Sequence, residues 1–152
     1  MQSLHVSLHV SISRQILTLR GAGEPREYPV STSCFGLGFE NGSFKTPTGR
    51  FEISKKIGAD APLGAVFKSR VPTGEIGDPS NPADLIQTRI LWLQGLDAEN
   101  ANTLERYIYI HGTNHEEEIG AATSHGCVRM RNRDVAELFD LVEEGAAVFI
   151  QP

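Results

Sequence analysis

The sequence predicts a mainly β domain with one packed helix. Three observations carry this reading. Apolar and polar residues alternate at the N-terminus, further short runs rich in Val, Ile, Leu and Tyr are separated by Gly, Pro and Asn, and only one stretch, beyond residue 131, keeps helical spacing. A length of 152 residues fits one domain, taken as residues 1–152, with enough chain to bury a core without disulfides.

Leu4, Val6, Leu8, Val10 and Ile12 recur at period two and predict a half-buried strand, with His5 and His9 on its polar face. A second strand follows over Gln15 to Arg20, and a third over Glu27 to Thr32, beyond the break at Gly21-Ala22-Gly23. Gly36 to Gly49 is loop chemistry with the turn pair Asn41-Gly42, before extended Phe51-Glu52-Ile53. From Val71 to Ala83 the glycines and prolines predict a long loop of the kind that forms a lid or substrate edge. Strands are expected at Ile90 to Leu93, with Trp92 in the core, and at Tyr107 to Ile110. Val135, Leu138, Phe139 and Val142 predict the helix, with Asn132 as its cap, Asp134 in its first turn and Gly145 as its stop. A last strand runs from Ala147 to Ile150.

Composition narrows the function. A formal net charge of -5 speaks against nucleic acid as partner, because phosphate binding needs clustered Lys and Arg. No apolar run is long enough for a membrane span, and the first residues do not form a basic region followed by an apolar one, so no signal peptide is visible. Of the two cysteines, Cys34 reads as a bystander, and a structural disulfide is not expected.

The chemistry concentrates between residues 111 and 129. A thiol becomes a good nucleophile as a thiolate, and a nearby imidazole is the usual acceptor of its proton. Cys127 with His111 or His125 supplies such a pair. On an extended segment His125 and Cys127, two apart, would share one face, whereas His111 must come through the fold, so spacing leaves the choice of base open. Gly126 permits close backbone approach, and backbone N–H groups there could face an oxyanion. Arg129 is a candidate clamp for a substrate carboxylate, and Arg131 reads as a surface residue. A zinc reading of His111, His115, His125 and Cys127 is disfavoured, because Gly112-Thr113-Asn114 predicts a turn and no second cysteine or ligating carboxylate stands at a familiar interval. Glu116-Glu117-Glu118 reads as a solvated acidic loop. No metal or other cofactor is expected.

Tyr109-Ile110-His111-Gly112-Thr113-Asn114, Ile119-Gly120 and Ser124-His125-Gly126-Cys127-Val128-Arg129-Met130 closely resemble the active-site signature of the L,D-transpeptidase catalytic domain of the YkuD type. Gln15 to Leu19, Tyr28 to Thr32 and Thr46 to Phe51 extend the likeness over nearly the whole chain. The resemblance implies a mixed β-sandwich-like catalytic domain that cleaves the L,D bond of a peptidoglycan tetrapeptide stem, releases D-Ala and passes the thioester to an amine. It implies Cys127 as nucleophile, His111 as base oriented by the Gly112 carbonyl, and His125 in support. Backbone N–H groups of Gly126 and Cys127 would hold the oxyanion, Ser124 and Gly126 would line the substrate, and Arg129 would meet its carboxylate. Peptidoglycan stem peptides and carbapenem-type inhibitors are the implied partners, and the cell envelope or periplasm the implied location, with the cytoplasm left open by the lack of a visible leader. Two other outcomes stay open: a carboxypeptidase with water as acceptor, and a catalytically silent peptidoglycan-binding module.

Overall fold

A computed structural model describes residues 6–152 of the chain, so Leu4 and His5 of the expected first strand lie outside the described residues. Among the described residues, ten strands form one sheet in the order β4-β10-β1-β2-β3-β9-β8-β7-β5-β6. They are β1 (Ser7–Ser11), β2 (Ile16–Arg20), β3 (Arg26–Ser31), β4 (Gly49–Ile57), β5 (Ala65–Lys68), β6 (Val71–Ile76), β7 (Ile86–Gly95), β8 (Tyr109–Gly112), β9 (Val128–Met130) and β10 (Ala147–Gln151). An additional pairing of β4 with β7 closes the strands from β4 round to β7 into a ring, from which the β5–β6 hairpin projects. Closure removes two sheet edges and lets one face of every ring strand look into a common interior.

Period-two patterning then does the sorting. Leu8 and Val10 of β1, Leu17 and Leu19 of β2, Phe51 and Ile53 of β4, Leu91 and Leu93 of β7, Ile110 of β8 and Val128 and Met130 of β9 fill the main core. His9, on the other face of β1, stacks on its cross-strand partner Phe149 at 5.0 Å. The helix α1 (Asn132–Leu141) packs on β7 and β8 and adds Val135, Leu138 and Phe139 to the same core. A second, smaller cluster of Ala65, Phe67, Ile90 and Tyr109 lies on the opposite face of β7 and β8, with Ile57, Trp92 and Cys127 at its margin. Trp92 is therefore a half-buried residue of the site face rather than of the main core. Among the described residues, no helix is long and apolar enough to cross a membrane.

Three expectations are corrected. The stretch from Val71 to Ala83 is not all loop, because Val71–Ile76 returns along β5 as an exposed edge strand. The turn between them, Ser69-Arg70, has φ of 50° and 67°, both in the left-handed region that two-residue hairpins require. Its signal was lost in the sequence because neither residue is Gly, Asn or Asp. Asn132 does not cap α1; it is the first helical residue, and Arg131 precedes it without a side-chain cap bond. The cap comes from a distance: the Asn132 N–H donates to the Glu116 carboxylate at 2.7 Å, which satisfies one orphan donor and places negative charge at the helix start. Hence the acidic run is not merely solvated. Replacing Glu116 with Ala is expected to lower unfolding free energy by about 1 kcal/mol, as other lost N-caps do, with an unchanged m-value. Urea denaturation measures it, and a change below the error of the fit would contradict the assigned cap.

Candidate active site

β8 and β9 lie side by side and parallel, with Ile110 opposite Val128 and His111 opposite Arg129. Ile110 and Val128 point into the main core, so by strand alternation Tyr109 and His111 on β8, and Cys127 and Arg129 at β9, share the other face. The contacts follow this parity. The Tyr109 N–H donates to Cys127 Sγ at 3.3 Å, and the thiol donates to the Tyr107 carbonyl at 3.4 Å. Tyr109 stands edge-on to His111 at 6.5 Å on one side and to Trp92 at 5.8 Å on the other.

Burial governs the charge state of both chemical groups. It pushes the Cys127 thiol up to about 12, reinforced by nearby Asp84 and opposed by the Tyr109 N–H, Arg106 and Arg129. It holds His111, 2% exposed, below the ordinary imidazole value, against the raising effects of the Gly112 carbonyl and Asp84. Thiol and imidazole are thus both neutral at rest near pH 7. His111 Nδ1 lies 2.5 Å from the Gly112 carbonyl oxygen. A carbonyl can only accept, so Nδ1 carries the proton and Nε2 keeps its lone pair. Residue 112 must be glycine here, because a Cβ would sit 2.2 Å from Asn132 Oδ1 and 2.8 Å from the Gln87 carbonyl oxygen. Among the described residues, the thiol's hydrogen bonds go to residues 107 and 109 and none to an imidazole.

Two of the residues expected to contact substrate are engaged within the protein. Ser124 is fully buried; its hydroxyl donates to the Cys127 carbonyl at 2.7 Å and accepts the Gly126 N–H at 3.2 Å. It shapes the turn that carries the thiol. Gly126 has φ of 125°, and its carbonyl accepts from the Thr46 hydroxyl at 2.9 Å. The second is Arg129, which is 1% exposed and turned inward. Nη1 reaches Asp84 at 3.1 Å, and Nη2 reaches Glu118 at 2.9 Å, Ser31 at 3.0 Å and the Thr123 hydroxyl. A guanidinium already neutralised by two carboxylates has little affinity left for a third.

The adjacent histidine takes another direction. The glycine conformation at 126 breaks the extended run on which face-sharing of His125 and Cys127 depended, and His125 leaves for the surface between Phe35 and Phe44, at 6.0 and 5.9 Å between centroids. Its Nδ1 lies 3.6 Å from Asp84 Oδ2. His115 is elsewhere, with Nε2 2.7 Å from the Asn81 carbonyl oxygen. No group of three or more metal-ligating side chains is gathered among the described residues. Both thiols are free, and that of Cys34 is exposed.

Sequence reasoning missed Asp84, which joins His125 to Arg129, and Asn114, which puts it there. The Asn114 amide donates to the carbonyls of Asp78, Asn81 and Ala83 at 3.0 to 3.2 Å and accepts the Leu85 N–H at 3.1 Å. One buried side chain therefore replaces the missing ladder of residues 78–85. The only trace in the sequence is an Asn three residues after His111, which reads equally as a turn residue.

The family model of the L,D-transpeptidase catalytic domain, the YkuD family, matches residues 5–150, and the chain belongs to that family. Among its relatives, the putative L,D-transpeptidase YqjB of Bacillus subtilis is 36% identical over 105 residues, covering 69% of this chain and 51% of that protein. The probable L,D-transpeptidase YbiS of Escherichia coli K12 is 37% identical over 103 residues, covering 68% and 26%. The matched part is thus about half of the first protein and a quarter of the second. L,D-transpeptidase 3 from Mycobacterium tuberculosis with a faropenem-derived adduct superposes with a TM-score of 0.61 at 19% identity, over 97% of this chain and 60% of that one. The imipenem complex of the LD transpeptidase LdtMt1 gives 0.59 at 22%, over 96% and 58%. At these identities the likeness is one of fold.

Removing the Arg129 side chain would strand Asp84 and Glu118 without their shared cation. Arg129→Ala is expected to cost about 2–3 kcal/mol, below the full figure for a buried pair because Asp84 and Glu118 are partly exposed. Chemical denaturation measures the loss; a cost under about 0.5 kcal/mol, the range of ordinary surface substitutions, would contradict the network's structural role.

Proposed function

We propose that this domain is a peptidoglycan L,D-transpeptidase that uses Cys127 as nucleophile and His111 as general base. The observation that carries the reading is the shared outer face of β8 and β9, with Cys127 and His111 on it and His111 held in the tautomer that leaves Nε2 basic. In this mechanism His111 Nε2 takes the Cys127 proton as Sγ attacks the carbonyl of the L,D bond. A neutral thiol and a neutral imidazole on one face of the sheet suit transfer in step with attack, since neither charge is stabilised beforehand. The Gly126 N–H is engaged by Ser124, so the Cys127 N–H is the assigned oxyanion donor. As the tetrahedral intermediate collapses, the C–N bond breaks and the protonated His111 returns its proton to the departing D-Ala amine. An acceptor amine then attacks the thioester and loses a proton to His111; the C–S bond breaks, and His111 returns that proton to the departing Cys127 sulfur. Gly112 orients the base through its carbonyl, and Ser124 and Gly126 hold the thiol's turn. His125 and Arg129 support the site from its edge through Asp84.

Membership of the family supports peptidoglycan stem peptides as substrate and the cell envelope as the place of action. The named imipenem and faropenem structures support carbapenem-type compounds as acylating probes. Incubation with a disaccharide tetrapeptide is expected to release D-Ala and form crosslinked dimer. Tripeptide alone would replace transfer with hydrolysis, and no release would overturn the reading. A carbapenem should add its mass to the native chain and not to Cys127→Ala; an equal adduct on both would remove Cys127 from the role.

The pH dependence has a definite sign. The base works unprotonated, and burial holds its pKa below the ordinary 6.5. The acid limb of acylation is therefore expected to have its midpoint below pH 6.5, where the depressed pKa lies. The rate of carbapenem acylation against pH measures this. An acid limb centred above 6.5 would exclude His111 as the titrating base.

A further inference from the structure

With Arg129 turned inward, the outer face needs another cation if the substrate's carboxylate is to be recognised. Arg106 is committed to the carbonyls of Gly38 and Lys45, and Arg89 to those of Ala61 and Thr88. Arg70 differs. It occupies the left-handed turn at the tip of the β5–β6 hairpin, φ 67°, and folds back over the site. Its guanidinium carbon lies 4.8 Å from the Trp92 ring centroid and 5.0 Å from that of Tyr107, and Nη1 donates to the Tyr109 hydroxyl at 3.1 Å. Two of these three aromatic residues are the ones whose backbones hold the thiol: Tyr109 through its N–H and Tyr107 through its carbonyl.

The guanidinium is thus fixed without being neutralised. Stacking on aromatic faces orients a planar cation while leaving its charge uncancelled. Among the described residues Arg70 forms no ion pair with a carboxylate, and its Nε and Nη2 carry no hydrogen bond to the protein. What remains is an oriented edge of N–H donors, one tyrosine side chain away from Sγ, with the geometry that binds carboxylate in two parallel bonds.

We propose that Arg70 is the specificity-determining residue that receives the free carboxylate of the acyl donor's leaving residue, in the role the sequence had suggested for Arg129. The identity of the leaving residue rests on the acyl-transfer reading above; the unneutralised cation held on Trp92, Tyr107 and Tyr109 does not. No bond is made or broken by Arg70. It selects donors that end in a carboxylate one residue beyond the attacked carbonyl, and places that carbonyl at Sγ.

The test pairs two comparisons in the native chain, Arg70→Gln and Arg70→Lys. In the first, kcat/KM is measured for a stem tetrapeptide with a free terminal carboxylate and for its terminal amide. The native enzyme is expected to prefer the free acid by about tenfold or more, the scale of one charge-assisted contact. Arg70→Gln should abolish that preference chiefly through the acid's KM, and Arg70→Lys should keep part of it. A purely structural hairpin latch would slow both donors alike, leaving the ratio unchanged, and that result would overturn the proposal. In the second, alkylation rates at Cys127 by iodoacetate and iodoacetamide are compared by peptide mass, with Cys34 read separately. Arg70→Gln should lower the iodoacetate-to-iodoacetamide ratio several-fold, and an unchanged ratio would again overturn it. If no donor is turned over, the acyl-transfer reading fails, while the alkylation ratio still decides whether Arg70 serves an anion at the thiol.

Discussion

The parallel pairing of β8 with β9 is the constraint on which the site depends. Parallel neighbours cannot be joined by a tight turn, so the chain must leave β8 at Gly112 and travel through the segment 113–127 before returning alongside. That crossover is why the imidazole and the thiol are separated in sequence and yet stand on one face of the sheet. It also explains the direction of their neighbours. Once Ile110 and Val128 are drawn into the closed core, alternation leaves Tyr109, His111, Cys127 and Arg129 no other side to occupy.

The crossover is long, polar and nearly without secondary structure, and it is fastened by a few charged and amide side chains. Arg129 gathers Asp84 and Glu118 from two different loops. Glu116 reaches the start of α1, and Asn114 holds the loop that brings Asp84 in. A buried cation with paired carboxylates adds less to stability than its contacts suggest, because each charge gives up its hydration. Its consequence lies in geometry: it ties three backbone segments to the strand that follows the nucleophile.

Burial does chemical work as well. Burial raises the thiol, which packs against the cluster of Ala65, Phe67, Ile90 and Tyr109, and burial depresses the imidazole, so the pair rests neutral. In the proposed acyl transfer the ion pair would then exist only in passing, and charge would develop where backbone donors and a fixed imidazole await it. The hairpin turn of Arg70 brings a cation to this same apolar rim without neutralising it, since aromatic faces rather than carboxylates hold it in place.

The sequence by itself determined the strands with clean alternation, such as β1 and β2, the amphipathic stripe of α1, and the cluster of His111, Gly112, His125 and Cys127. The strands and the stripe are local, carried by spacing, while the four site residues stand in a family signature that runs from Tyr109 to Met130. Tertiary structure decided the rest. The β5–β6 hairpin escaped because its turn uses Ser69-Arg70 instead of glycine or asparagine, and β9 because three residues are too short to show a period. Asn132 looked like a cap, but the carboxylate at that helix start comes from Glu116, sixteen positions away. Above all, spacing favoured neither histidine and made Arg129 look available. Which imidazole shares the thiol's face, and whether an arginine points in or out, depend on strand register and on partners distant along the chain, and no local pattern encodes either.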